Sequence, residues 1–316
     1  MSGKKRILLT GATGYIGSAV ARDLEAAGCT VVGVSRRALP EGGAVSAGSP
    51  GASASPESLR SGYRTAERVL CDLGDSEATR RALAEIPPCD VIVHTAARTD
   101  SRSDAIEASV AMLRNLFEAT RSWGARWVHL SSVSVYGDDR REGIVRIADA
   151  ALRPATNYGR SKLKCEEFLQ NSGAADCRIL RITPVYSPDA RRNVAVRVYL
   201  PGTRLRMRLR PEPRHSLCAL EELVAGVRRH VADPRIRRIT EHATDAVDYG
   251  QHELAERFQA GPLVTIPEVI FRPIYIVLCW IPGRRAYQLR CVYWKLFRSN
   301  VYEPPAATPI GSATRS

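Results

Sequence analysis

The feature that most limits the fold is an alternation. Six short apolar runs, at residues 7–10, 30–35, 68–71, 91–95, 127–131 and 178–183, are separated by segments whose apolar residues recur at helical spacing. Strands alternating with helices predict an α/β fold, a doubly wound parallel sheet with helices on both faces. The 316 residues are enough for one large domain or two unequal ones. Past residue 183 the alternation degrades into short runs rich in Pro and Arg. Residues 1–183 are therefore expected to form the main domain. Residues 184–316 are expected to form a smaller C-terminal substrate-binding region that partly returns to the main sheet, through 215–222 and 238–243. Residues 38–62, rich in Gly, Ala, Ser and Pro, read as a flexible exposed insertion. In 104–123, Ile106, Val110, Leu113, Leu116 and Phe117 fall at helical spacing and read as core positions. In 203–210, Arg204, Arg206, Arg208 and Arg210 alternate with Leu205, Met207 and Leu209, the pattern of a half-buried strand whose Arg row is expected to face water rather than an anionic substrate.

Gly11, Gly14 and Gly17 stand between the first apolar run and the first helical pattern, which continues through Val20 and Leu24. Gly11 permits a tight strand-to-helix turn, Gly14 lets backbone approach a pyrophosphate, and Gly17 lets the helix pack on the strand. That setting is a Rossmann dinucleotide cradle, with Tyr15 and Ile16 supplying first-turn backbone N–H groups at the positive end of the helix. The second run ends Val34-Ser35-Arg36-Arg37, with no acidic residue for a ribose 2′-hydroxyl. Arg36 and Arg37 suit a 2′-phosphate, so NADP is the preferred cofactor, with NAD as the alternative.

Composition excludes several classes. The hydrophobic fraction of 44% and charged fraction of 25% are those of an ordinary globular chain. The net charge is +13, but only five of the 46 basic residues are Lys and the Arg are dispersed. No basic run is interleaved with aromatics, so a nucleic-acid partner is not expected, while the overall field favours an anionic small molecule. The eight cysteines form no Cys-x-x-Cys pair and read as reduced core residues of a cytoplasmic protein. No signal peptide is evident and nothing points to a metal. The apolar segment 263–281 is interrupted by Pro267, Glu268, Arg272 and Pro273, leaving 274–281 as its longest clean run. That is too short for a transmembrane helix. Core packing is the leading reading of it; a substrate-cleft helix or a weak, shallow membrane contact stay open.

Tyr158 and Lys162 lie one helical turn apart in a segment that continues through Leu163, Glu166, Phe168 and Leu169, so their side chains share a face. A neighbouring ammonium favours the charged form of a phenol, which makes such a pair a tuned proton donor and acceptor. At the end of the fifth run stands Leu130-Ser131-Ser132-Val133-Ser134-Val135-Tyr136-Gly137, where an open parallel sheet binds its ligands.

With Asp72-Leu73, His94-Thr95-Ala96-Ala97 and Arg181 through Tyr186, these motifs resemble the extended short-chain dehydrogenase/reductase family, the NAD(P)-dependent epimerase/dehydratase group. The resemblance covers roughly the first 190 residues well and the remainder loosely. It implies that Ser132 orients the substrate oxygen, Tyr158 transfers the proton, and Lys162 assists Tyr158 and holds the nicotinamide ribose. It further implies that Asp72 and Leu73 lie at the adenine, that Ala96 lines the cofactor cleft, and that a homodimer forms through helices near 104–123 and 157–171. Taken singly, Asp72 also reads as a helix cap and His94 as a satisfied core histidine.

Departures narrow the chemistry. Val133 and Ser134 stand where sugar dehydratases of this family carry acidic residues, which favours reduction, oxidation or epimerisation over dehydration. Pro184 and Ser109 replace an Asn, and His215 beside Arg214 stands where an Arg often grips a diphosphate. The expected function is an NAD(P)-dependent oxidoreductase or epimerase acting on a ketone or hydroxyl, most naturally of a nucleotide sugar. A hydroxysteroid- or lipid-like alcohol dehydrogenase, or a catalytically silent dinucleotide-binding regulatory subunit, are the alternatives.

Overall fold

The computed structural model describes residues 4–36, 65, 67–97, 105–137, 144–147, 150–190, 192–200, 203–257 and 261–305. Arg37 and the segment 38–62 lie outside them. The chain begins β1 (Arg6–Thr10), α1 (Tyr15–Ala26), β2 (Thr30–Ser35), β3 (Glu67–Leu70), α2 (Ser76–Ala84), β4 (Val91–His94), α3 (Ala105–Thr120), β5 (Arg126–Ser132), α4 (Asn157–Asn171) and β6 (Cys177–Ile182). It continues with α5 (Arg192–Val198), β7 (Arg206–Arg210), α6 (Leu220–Ala232), β8 (Arg238–Ala243), α7 (Gln251–Arg257), β9 (Leu263–Pro267), α8 (Glu268–Trp280) and α9 (Arg284–Phe297).

Seven strands form one parallel sheet in the order β8-β6-β5-β4-β1-β2-β3. Alternate residues of each strand feed opposite cores, as the period of two requires. Ile7, Leu9, Val91 and Val93 pack with Val20 and Leu24 of α1 and Val227 of α6. Leu8 and Ile92 pack on the other side with Leu83 of α2, Leu113 and Leu116 of α3, and Leu169 of α4. The chain winds outward from β1 to β3, then returns to β4 beside β1 and winds the other way. That reversal opens a crevice at the carboxyl ends of β1 and β4, where doubly wound sheets bind ligands.

Of the two expected returns to the sheet, 238–243 is β8, in register with β6 from Arg238 opposite Cys177 to Ala243 opposite Ile182. Residues 215–222 do not join the sheet. Arg214–His215 pairs with Tyr249–Gly250, Cys218–Ala219 with Val185–Tyr186, and residues 220–222 open α6. The alternating segment at 203–210 is β7, parallel to β9. Its Arg row does not simply face water. Arg206 Nη1 donates to the Ala255 carbonyl (3.1 Å) and Arg208 pairs with Glu256 (3.2 Å), both on α7. Part of the Arg excess is internal: fully buried Arg178 bridges Asp176 (3.0 Å) and Asp233 (3.1 Å), tying the end of α6 to β6. The cysteines at 29, 71, 89, 165, 177, 218 and 279 are free thiols. Among the described residues no helix is long and apolar enough to cross a membrane.

Candidate active site

The glycine turn is shaped by what each position excludes. Gly11 has φ +71°, in the left-handed region, and a Cβ there would lie 2.6 Å from Thr95 Oγ1 and 3.1 Å from the Ala96 nitrogen. The end of β4 therefore presses on the turn; Thr95 Oγ1 donates to the Thr10 carbonyl (2.7 Å) and the Ala96 N–H to Thr10 Oγ1 (3.3 Å). Gly17 is tighter still, since its Cβ would fall 2.1 Å from the Gly11 carbonyl oxygen. Gly14 is different. A Cβ there meets only the Gly11 carbonyl oxygen, at 3.2 Å, and otherwise projects into open space. Gly14 is the N-cap of α1, with no side-chain cap and no acidic residue in the first turn. The Tyr15, Ile16 and Gly17 amides are thus first-turn donors without an intrahelical acceptor. Open space at Gly14, orphan donors and the positive helix end fit a pyrophosphate. Tyr15 and Ile16 pack their side chains on the core, leaving backbone as their contribution.

At the expected adenosine end, Arg36 is exposed just beyond β2. Asp72 is exposed just beyond β3, its Oδ1 accepting from the Gly74 N–H (3.0 Å). It does not cap α2; Asp75 does, accepting from the Ala78 N–H (2.9 Å). The Leu73 side chain is buried in the core and its carbonyl accepts from Asn115 Nδ2 (2.9 Å).

Ser132 closes β5 and caps the 3-10 turn Val133–Tyr136. Its Oγ accepts from the Ser134 N–H (3.2 Å) and Ser134 Oγ (3.0 Å), so its own proton is left to donate outward. Thr156 starts α4 by accepting from the Gly159 N–H (3.0 Å). Gly159 lies against the serine turn: a Cβ there would be 2.5 Å from the Ser134 carbonyl oxygen. That contact sets the first turn of α4, bearing half-buried Tyr158, beside Ser132. One turn on, buried Lys162 donates through Nζ to the Leu130 carbonyl on β5 (2.6 Å), with Nζ 5.9 Å from the centre of the Tyr158 ring. Lys162 thus lies against both the Tyr158 ring and the strand β5 that Ser132 closes.

Beneath them lie groups that the motifs did not announce. Glu166, a further turn along α4, accepts from Ser131 Oγ and forms a buried ion pair with Arg181 of β6 (2.7 Å). Burial is the largest single influence on the Arg181 pKa and lowers it, but the hydrogen bonds and charge of Glu166, with a smaller share from Tyr136, together outweigh burial and hold the guanidinium above its ordinary value. Arg181 Nη1 donates to Tyr136 Oη (2.9 Å), which meets His242 Nε2 (2.8 Å), while His242 Nδ1 meets the Glu303 carbonyl (2.9 Å). A carbonyl only accepts, so His242 Nδ1 carries a proton. The spacing 158, 162, 166 was the available signal for Glu166.

His94 and His129 stack with ring centres 5.4 Å apart. His94 Nδ1 meets Thr10 Oγ1 (2.9 Å), so the core-histidine reading holds. Burial, reinforced by the Lys162 charge, pulls His94 down to about 3 and His129 well below its ordinary value. His215 is also held neutral, by burial and by the Arg197 charge beside it, and cannot grip a diphosphate as a cation. Neighbouring Arg214 is committed to Asp248. Arg197 Nε and both His215 ring nitrogens are buried without a hydrogen-bond partner among the described residues.

Comparison with known proteins bears on the family and the fold. Residues 7–214 match the model of the NAD dependent epimerase/dehydratase family. The chain is 23% identical over 234 residues to a UDP-glucose 4-epimerase of Vibrio cholerae, covering 70% of this chain and 64% of that one. It is 34% identical over 117 residues to an L-xylulose reductase of Homo sapiens, covering 37% of each. The chain therefore spans less than two thirds of the curated relatives it matches. The structure of a UDP-glucuronic acid 4-epimerase from Bacillus cereus in complex with NAD superposes with a TM-score of 0.61 at 19% identity, covering 91% of this chain and 97% of that one, which shows a shared fold. A family match over well more than half of the sequence, on a doubly wound sheet with these glycines in its crevice, places the chain in the NAD dependent epimerase/dehydratase family.

Proposed function

We propose that this chain is an NADP-preferring oxidoreductase or epimerase that interconverts a hydroxyl and a ketone on a nucleotide sugar. The observation that carries the reading is the placement of Lys162, whose Nζ is fixed on the Leu130 carbonyl beside the Tyr158 ring while Gly159 seats the same helix on the Ser132 turn. When bound, the dinucleotide supplies the hydride donor or acceptor. The chain handles the proton. Ser132 Oγ donates to the substrate oxygen, Tyr158 Oη gives or takes that oxygen's proton, and the Lys162 ammonium offsets the negative charge left on Tyr158. Epimerisation needs only the same ketone to be reduced from its opposite face.

Two observations support the finer parts of the reading. The exposed Arg36 beyond β2, with no carboxylate beside it in Ser35-Arg36-Arg37, favours a 2′-phosphate over a free 2′-hydroxyl. The net charge of +13 gives an overall field that favours an anionic substrate, as a nucleotide sugar is. The names of the relatives, UDP-glucose 4-epimerase and UDP-glucuronic acid 4-epimerase, point to the same substrate class. The free cysteines suit a cytoplasmic setting, and a homodimer would use the outer faces of the packed pair α3 and α4.

The deciding variant is Tyr158→Phe. Turnover should fall by about 10²–10⁴-fold while NADPH affinity, read by fluorescence titration, stays within about twofold of the parent. Unchanged turnover rejects the mechanism. In thermal-shift titrations of the parent, NADPH should stabilise more than NADH at equal concentration, and UDP-sugars more than sterols; a shift with sterols alone rejects the substrate class.

A further inference from the structure

The segment of uncertain role at 263–281 forms β9 and α8, and α8 is apolar on two faces. One is used. Phe271 and Tyr275 pack on α9, Tyr275 stacking on Tyr293 at 4.2 Å and Phe271 lying 5.5 Å from Phe297, while Glu268 pairs with Arg298 (3.0 Å). The other face is bare. Val269, Ile270, Ile274, Ile276, Val277 and Trp280 are all exposed, Val269 at 71% and Trp280 at 84%. At about 100° per residue these six fall within one continuous arc of roughly 160°. No side chain of α8 is buried. A helix with a second apolar face open to water marks a surface that something covers.

The occupant is indicated by length, charge and the helix tip. A 13-residue helix is about 20 Å long, against an apolar bilayer thickness of about 30 Å, so α8 can lie in a membrane interface but not cross it. From 263 to 302 the sequence has six basic residues, Arg272, Arg284, Arg285, Arg290, Lys295 and Arg298, and one acidic, Glu268. Glu268 is already neutralised by Arg298. Of these, Arg272 is exposed at the edge of the bare arc. A second copy docking face to face would bring two such basic segments together, whereas anionic lipid headgroups would neutralise them. Trp280 stands at the end of the helix with its ring out, the residue and position that favour the headgroup boundary.

We propose that α8 is a monotopic docking surface for an anionic lipid bilayer, lying in the plane of the interface with its bare arc in the acyl boundary. This goes beyond the dinucleotide chemistry and does not depend on it. The test is co-sedimentation of the full chain with vesicles of phosphatidylcholine alone, or of phosphatidylcholine with about one third phosphatidylglycerol, at low and high salt. The parent should sediment with the anionic vesicles, lose binding as salt rises, and show a blue-shifted tryptophan emission when bound. The double variant Ile274→Ser/Val277→Ser should weaken that partitioning at least about tenfold. Both residues are exposed, so an unchanged circular dichroism spectrum and NADPH affinity are expected, separating loss of docking from loss of fold. Binding to neither vesicle, equal binding to both, or a dimer in lipid-free solution that the double variant dissolves would overturn the proposal.

Discussion

Replacing Glu166 by Gln removes one charge from a pair whose side chains are 1% and 5% exposed and leaves the Arg181 guanidinium buried without its counter-ion. Arg181 loses a bidentate acceptor: Nη2 lies 2.7 Å from Oε2, and Nε lies 3.2 Å from each oxygen. The new amide would turn N–H donors toward guanidinium donors or toward Ser131. Breaking one side of a buried ion pair costs about 3–5 kcal/mol. For a chain of this length that lowers Tm by roughly 5–8 °C. Removing both charges is a different perturbation. Glu166→Met/Arg181→Met deletes the uncompensated ion, leaving mainly the partners lost by Ser131 and Tyr136, at about 1 kcal/mol each. The double variant should therefore be more stable than Glu166→Gln alone, by urea midpoint and by calorimetry. Turnover should fall in both, because Glu166 holds α4 to β5 and β6 two turns beyond Tyr158. A Glu166→Gln protein within about 1 kcal/mol of the parent, or a double variant less stable than the single, would refute the view that this pair anchors the helix as a charged unit.

Gly17→Ala should destabilise the fold and abolish NADPH binding together, because its methyl meets the Gly11 carbonyl at 2.1 Å. Gly14→Ala should leave stability within about 1 kcal/mol and weaken NADPH at least about tenfold, since its methyl enters only the open space; equal losses of Tm in the two variants would contradict the cradle. Acid should destabilise the protein through the stacked histidines. Their folded pKa values are depressed, to about 3 for His94 and well below the ordinary value for His129, so their contribution is complete above about pH 6.5 and is lost as pH falls toward 3. Each can add a slope of up to about 1.4 kcal/mol per pH unit in that window, and urea midpoints measured between pH 7.5 and 4.5 should show it.

Most of the sheet was legible because its strands are parallel and buried on both faces, so they read as unbroken apolar runs. Ile7-Leu8-Leu9 and Val91-Ile92-Val93 are such runs, and β1 and β4 form there. β8, reading Arg-Ile-Thr-Glu-His-Ala, is an edge strand that is mostly half-buried, and its pattern is correspondingly weak. The fate of 215–222 was not legible, since two-residue pairings leave no periodicity. Tyr158 and Lys162 were legible because helical spacing brings them together within one element, and Ser132 because a strand end is a fixed place in such a sheet. The support beneath them was not. Ser131, Glu166, Arg181, Tyr136 and His242 meet only after β5, α4, β6 and β8 have been laid side by side. That Arg197 lies buried beside His215 was hidden for the same reason, and an Arg-rich sequence gives no hint of which guanidinium is buried. In 203–210 and in 263–281 the period was informative but the partner was not: a pattern shows which face is apolar, not whether a neighbour will cover it.

The single hydrogen on Gly159 works as a feeler gauge. It fixes how far the Tyr158 phenol stands from the end of the sheet, by letting one helix rest directly on a carbonyl oxygen. Any larger residue would act as a shim under the first turn and lift the phenol away from the serine by a good part of an ångström, a misplacement of the order that costs about a hundredfold in rate. The tolerance of the proposed site is thus set by an atom to which the proposed mechanism gives no chemical part.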